Sequence, residues 1–311
     1  MKDIIITLEK LQEKKNRGYM LAASFERLGL CERARLVREC GTYLGIVDEG
    51  EGAKIVEANF CKQRLCPACN WRRSLRIFGT TSKILDYIDE HQGKQIKYLF
   101  LTLTVKNIPL PQLGQAIDDM AAAFKRLTNN RAWTNRVRGC MRTLEITINH
   151  DTMQAHPHYH LILAVDRSYA TKGDKLYWTH ADWQAAWATA ARLDYMPQVS
   201  IERVKGGRDA GVAEMATYLA KDVDYLIDSM AAQMGTEEAE AATDYIVGQL
   251  MNQLHGRRLI SYTGILRKAQ QALRLSNPEE GPLTDTVRGD VAQAVKKYHW
   301  NAGLGRYIPG S

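Results

Sequence analysis

One ten-residue run, His156-Pro157-His158-Tyr159-His160-Leu161-Ile162-Leu163-Ala164-Val165, constrains the fold more than any other stretch of this 311-residue chain. It follows the polar residues 149–155 and turns apolar and branched, the pattern of a buried strand. Alternate side chains of a strand share a face, so His158 and His160 point the same way, roughly 6.6–6.8 Å apart at Cα. Residues 141–148 just upstream read as a second strand, and the polar stretch between the two suits a hairpin loop. A roughly symmetric loop sets Glu145 opposite His160, where cross-strand Cβ atoms lie about 4.5–5.5 Å apart. Two imidazoles and a carboxylate can converge on one metal ion and leave positions open, as a catalytic site requires. A lone strand histidine is ordinarily a core or surface residue; two at alternate positions opposite a carboxylate weaken that plainer explanation.

The second informative stretch is Ala210-Gly211-Val212-Ala213-Glu214-Met215-Ala216-Thr217-Tyr218-Leu219-Ala220-Lys221. It is alanine-rich and free of proline, which predicts a helix with Asp209 as N-cap. Glu214, Tyr218 and Lys221 then lie on one face. A tyrosine hydroxyl, with a pKa near 10, is a poor nucleophile unaided. A nearby cation can stabilise the phenolate and a metal can polarise the electrophile. Taken alone, a Tyr/Glu face on an amphipathic helix is explained by packing and solvation.

Together with the strand Phe100-Leu101-Thr102-Leu103-Thr104-Val105, these stretches resemble, in order, the three motifs of the HUH endonuclease superfamily. Within it the chain resembles the plasmid rolling-circle replication initiators of Gram-positive bacteria, in the branch with one tyrosine and a glutamate. The resemblance covers roughly residues 40–270. It implies a nickase that cuts one strand of single-stranded or hairpin origin DNA, with His158, His160 and Glu145 holding Mn²⁺ or Mg²⁺. Two imidazoles would also accept zinc or iron. By the same resemblance Tyr218 is the nucleophile, Glu214 the base for water at termination, and Lys221 the stabilising cation. Tyr225 shares the helix face if the helix continues, so a second nucleophile stays open. A host helicase and polymerase would be the partners. A transposase or relaxase using the same chemistry is the alternative, and a non-catalytic, zinc-containing DNA-binding regulator is the alternative of another class.

Upstream, Cys61-Lys62-Gln63-Arg64-Leu65-Cys66-Pro67-Ala68-Cys69 contains the Cys-x2-Cys knuckle with which two thiolates grip one zinc ion. Structural zinc takes four ligands, and Cys40, just before a predicted hairpin, is the choice for the fourth, with Cys31 as the other candidate. The family also carries a cysteine at that place. A redox pair is the competing explanation, but no βαβ pattern surrounds it. Lys62, Arg64, Arg72, Arg73 and Arg76 cluster here with Trp71, and no acidic residue falls between Glu57 and Asp86. Such a run is often only a solvated face; beside an endonuclease motif it points to DNA contact. The net charge of +7 agrees with an anionic partner.

The remaining periodicity predicts an α+β chain. Residues 1–40 are helical, and strands over 42–47 and 54–60 make a hairpin. A helix runs from 70 to 90, and strands over 97–105, 141–148, 158–165 and 198–204 form one antiparallel sheet of about four to five strands with helices against one face. Helices over 112–127 and 181–193 intervene, the latter carrying Trp183 and Trp187 as core residues. Helices over 237–254 and 264–273 build a mostly helical C-terminal extension, and the last thirty or so residues give no element. The expected regions are 1–93, helical and zinc-binding; 94–229, the endonuclease domain; and 230–311, the extension. No stretch approaches the roughly 18–20 apolar residues of a membrane span, and the N-terminal apolar run is too short for a signal peptide, so the expected location is the cytoplasm.

Overall fold

The computed structural model describes residues 2–48, 52–171, 175–203, 212–213, 236–285 and 295–310. They fall into two compact units: Met1–Arg76, Val223–Met251 and Gly281–Ser311 form the first, Ile77–Asp222 and Asn252–Glu280 the second. Both are mixed helix and antiparallel sheet, the predicted α+β class.

In the first unit, α1 (Lys2–Arg27) packs against α2 (Cys31–Glu39). The acidic hairpin forms as expected, with β1 (Tyr43–Asp48) antiparallel to β2 (Ala53–Ala58). The end of the chain departs from expectation. β9 (Lys296–Asn301) and β10 (Arg306–Pro309) form a hairpin that joins β1, giving the sheet order β10-β9-β1-β2. Its signal is the alternation Tyr298-His299-Trp300-Asn301, which the proline and glycine of the preceding segment obscure. Trp300 donates its backbone N–H to the Thr42 carbonyl at 2.8 Å, and the Tyr307 hydroxyl donates to the Gly41 carbonyl at 2.7 Å. α7 (Thr236–Gln253) lies mostly in this unit, where Arg27 clasps Asp244 with two hydrogen bonds of 2.7 and 2.9 Å.

α3 (Pro67–Gln92) runs from the first unit into the second. There the main sheet has the order β7-β3-β6-β5-β8, from Val199–Arg203, Ile96–Thr104, Gln154–Asp166, Val137–Asn149 and Ile260–Tyr262. A sixth, two-residue strand, β4 (Ile108–Pro109), also pairs with β6. Pro157 sits opposite Ile146 of β5, and on its other side it falls in a gap, because β3 pairs from His158 onward and β4 pairs only with Gln154 and Ala155.

Helices cover both faces of this sheet, not one. Leu161, Leu163 and Val165 of β6 are as fully buried as Ile162 and Ala164, so both faces of the strand need an apolar layer. On one face, Ile77, Ile84, Leu85 and Ile88 of α3 and Leu266 and Ala269 of α8 (Gly264–Ala272) pack on Met141, Ile162 and Ala164. On the other face lie α4 (Leu113–Asn129), α5 (Arg131–Thr134) and α6 (His180–Ala191). α4 buries Leu113, Ile117, Met120, Phe124 and Leu127, an i, i+3/i+4 stripe. Trp183 and Trp187 are core residues as expected, at 1% and 0% exposure. Phe124 and Trp187 meet the Tyr159 ring edge-on, and Trp133 joins Phe124 to Trp183 by further edge-on contacts.

Candidate functional site

The hairpin β5–β6 turns tightly over residues 150–153, with Met153 in the left-handed region at φ 51°. Glu145 therefore pairs with His158 and Thr143 with His160, a correction to the expected Glu145–His160 pair. The shift is two residues, so all three side chains keep the same face, the one bearing Thr102 and Thr104 of β3. The three converge all the same. Glu145 Oε2 lies 2.8 Å from His158 Nε2 and 2.6 Å from His160 Nε2. All three residues are buried.

Each imidazole is held by its other nitrogen. His158 Nδ1 donates to its own strand, at the His156 carbonyl, 3.0 Å away, and His160 Nδ1 meets Thr102 Oγ1 at 3.2 Å. A carbonyl only accepts, so the Nδ1 of His158 carries hydrogen and its Nε2 is the atom left to coordinate. Burial raises the Glu145 pKa, but hydrogen bonds and charge from His158 and His160 outweigh it and bring the carboxyl down to about 2. The group is a carboxylate at any physiological pH. Donor atoms this close lie within a few tenths of the roughly 3.0 Å between neighbouring ligands on an ion at about 2.1 Å. The set of two nitrogens and one oxygen fits a divalent cation, with positions left for substrate.

The second cluster belongs to the first unit. Cys40, just after α2, meets Cys61, Cys66 and Cys69 of the knuckle. Sulfur separations are 3.5 Å for Cys40–Cys69, 3.6 Å for Cys66–Cys40 and 3.7 Å for Cys61–Cys69. A disulfide would need about 2.05 Å. A tetrahedron with metal–sulfur bonds of about 2.3 Å has edges of about 3.8 Å, so these four thiols fit a tetrathiolate metal site. Cys31 is exposed and stands outside the cluster. Backbone N–H groups of Cys61 and Lys62 point at the sulfurs of Cys40 and Cys69, at 3.4 and 3.2 Å. Neighbouring thiols and burial push the Cys69 thiol up. The buried Lys15 ammonium beside them donates to the carbonyls of Arg38 and Cys40. Sequence reading passed over this lysine, which looks like one more charge on α1.

The basic stretch resolves into two kinds of residue. Lys62 is exposed, and Arg64 and Trp71 are half-buried. Arg72 is buried, donating to the Leu283 carbonyl at 2.8 Å and pairing with Asp285 at 2.9 Å. Arg73 holds the knuckle loop through the carbonyls of Lys62, Gln63 and Arg64 and the side chain of Asn70 at 2.9 Å. Arg76 donates to the Pro282 carbonyl. Glu214, Tyr218, Lys221 and Tyr225 lie outside the described residues. Among the described residues no helix is long and apolar enough to cross a membrane.

Residues 52–308 match the model of a family described as Replication protein. A "Protein rep" of Streptococcus pneumoniae is 32% identical over 319 residues, covering 97% of this chain and 95% of its own. One from Bacillus amyloliquefaciens is 33% identical, covering 95% and 92%. One from Staphylococcus aureus is 32% identical, covering 71% and 96%. No solved structure is significantly similar to the chain. The chain belongs to this replication protein family, and with it to the HUH-type rolling-circle plasmid initiators that its motifs resemble.

Proposed function

We propose that the protein is a site- and strand-specific DNA nickase that starts rolling-circle replication through a covalent tyrosine intermediate. The observation that carries this reading is the convergence of His158 and His160 on one carboxylate oxygen of Glu145, at 2.8 and 2.6 Å. Mn²⁺ or Mg²⁺ held by these three residues supplies, when bound, Lewis-acid polarisation of the scissile phosphate. The chain's own work is nucleophilic. The Tyr218 oxygen attacks phosphorus and the P–O3′ bond breaks. The phenolic proton passes to the departing 3′ oxygen, leaving a 5′-phosphotyrosine and a 3′-hydroxyl that a host polymerase can extend. The reaction exchanges one phosphodiester for another, so the reverse attack rejoins ends. Lys221 stabilises the phenolate, and Glu214 takes a proton from water when the round ends by hydrolysis.

The Cys40, Cys61, Cys66 and Cys69 cluster binds zinc as a structural element in this reading. Lys62, Arg64 and Trp71 contact DNA beside it, with Arg72, Arg73 and Arg76 shaping the surface that carries them. The substrate is single-stranded or hairpin origin DNA in the cytoplasm, where a host helicase unwinds ahead of the polymerase.

The test is the covalent adduct. Full-length protein incubated with candidate origin single strands and Mn²⁺ forms a denaturation-resistant protein–DNA species, and Tyr218→Phe removes it while keeping ring packing. Tyr225→Phe retains it. An adduct that survives Tyr218→Phe and is lost in Tyr225→Phe moves the nucleophile. A wild-type protein that binds origin DNA and never forms the adduct overturns the nickase.

A further inference from the structure

Two cavities in the second unit lie one after the other along the edge strand β7, and the metal-site chemistry uses neither. The first, of about 380 Å³, is lined mostly by hydrogen-bonding side chains, those of Thr102, Thr104, His180, Gln184, Gln198 and Ser200, together with Val199. It adjoins the metal site directly, because Thr102 is the residue whose hydroxyl meets His160. The second, of about 540 Å³, has a different character: Tyr169, Tyr177, Trp178 and Trp183 line it together with Lys97 and Arg203. Val199 and Ser200 border the first cavity, and Ile201, Glu202 and Arg203 the aromatic one.

The aromatic cavity is built in advance. Tyr169 is 4% exposed, and its hydroxyl accepts the backbone N–H of Trp178 at 3.2 Å. Trp178 is fixed between the Arg136 guanidinium, 4.4 Å from its ring centre, and the Trp183 ring, edge-on at 4.8 Å. The Lys97 ammonium donates to the Tyr169 carbonyl and lies 5.9 Å from that ring. Tyr177, against Tyr169 at 5.8 Å, keeps 49% of its surface exposed. Arg203 is exposed at the rim. Glu202 is the acidic exception. Flat rings that lose little freedom on binding, with cations beside them, suit an unpaired nucleobase and its phosphate.

We propose that the β7 edge is the path of the single-stranded substrate: the first cavity takes sugar–phosphate next to the scissile position, and the aromatic cavity takes one unpaired base. This rests on the nickase reading for its substrate. It adds that the base is gripped on the face of the sheet opposite His158 and His160, since Leu99 and Arg203 pair in the Leu101, Leu103 and Tyr159 register, while Thr102, Thr104 and Ser200 of the first cavity lie on the histidine face, so the substrate passes round the β7 edge. Base stacking is sequence-tolerant, so the cavity contributes affinity and placement, not recognition of the origin.

The test uses the full chain with a fluorescein-labelled dT12 oligonucleotide and the same backbone carrying abasic units, read by anisotropy. Wild-type protein is expected to prefer dT12 by about 5- to 150-fold, the range of one base–aromatic stack. Tyr177→Ala should remove most of that preference, and Tyr177→Trp should restore it within about threefold. Arg203→Glu should weaken both oligonucleotides alike and flatten the salt dependence. Tyr177 is half exposed, so the fold should survive, and unchanged circular dichroism checks that it does. Equal wild-type affinity for dT12 and the abasic strand, or a preference untouched by Tyr177→Ala, overturns the proposal. Failure of the nickase reading shows separately, as absence of the covalent adduct in wild-type protein whose dT12 preference and Tyr177 dependence are intact.

Discussion

Arg72 should be a structural residue of the first unit, and replacing it should cost stability before it costs DNA affinity. The side chain is 7% exposed, donates to the Leu283 carbonyl at 2.8 Å, and pairs with Asp285 at 2.9 Å. Asp285 in turn accepts the Ile55 N–H at 2.9 Å and donates its own to the Ile55 carbonyl at 2.6 Å. One guanidinium therefore ties the start of α3 to a segment laid on β2. A charge-assisted hydrogen bond to a buried carbonyl contributes about 1.5–3 kcal/mol. The ion pair adds no more than about 1 kcal/mol, because the Asp285 side chain is 36% exposed and screened by solvent. Arg72→Met, which keeps the aliphatic stem, is expected to lower the stability of the first unit by roughly 2–4 kcal/mol in urea unfolding followed by circular dichroism. Lys62→Gln, on an exposed side chain, should leave the urea midpoint in place and weaken DNA binding, reducing the salt slope by about one unit. An Arg72→Met protein as stable as the parent but several-fold weaker for DNA would refute this, placing the guanidinium on the DNA instead of in the fold.

Three further outcomes follow from the two metal-ligand clusters and the sheet. Cys66→Ser should lower zinc content, measured by mass spectrometry, and loosen the first unit, since structural zinc contributes directly to folding free energy; metal-free protein of unchanged thermal stability contradicts it. Thr102→Val removes the hydroxyl that meets His160 Nδ1, and Mn²⁺ affinity by calorimetric titration should fall about 10- to 100-fold, with Thr102→Ser close to wild type. Equal affinities in all three proteins would show that the imidazole is oriented by packing alone. Gly139→Ala would put a methyl 2.5 Å from the Thr263 carbonyl oxygen and 2.7 Å from the Ile265 N, both backbone atoms, so soluble expression or thermal stability should drop sharply.

Much of the sheet was legible because its strands carry period-two or continuous apolar runs. The histidine strand, its partner and the strand of Thr102 all form within a few residues of their predicted limits. Register was harder. The loop of residues 149–155 fixes the face of Glu145 through parity, but not the pair it makes, because turn geometry sets the count. Partners distant in sequence were invisible: Arg72 with Asp285, and Lys15 beside the cysteines, look like surface charge until the chain folds back. The final hairpin was missed because a lone aromatic alternation says little unless its edge has a strand to pair with, and β1 lies some 250 residues earlier. Cys40 could be chosen over Cys31 from its place beside the first hairpin, and the four sulfurs converge as that placement suggested.

The pairing of β9 with β1 has a consequence for the order in which the chain can fold during synthesis. Among the described residues the last strand of the main sheet, β8, ends at Tyr262, so its six described strands are all made once that residue clears the ribosome. The four-stranded sheet begins with β1 near residue 43 but waits for Pro309, some 260 residues further along the chain. At about 5–20 residues per second, β1 and β2 spend on the order of 10–50 seconds as a hairpin with an unpaired edge. Any message that stops short of codon 296 yields a chain whose main sheet can form while the sheet next to its cysteine cluster stays half built.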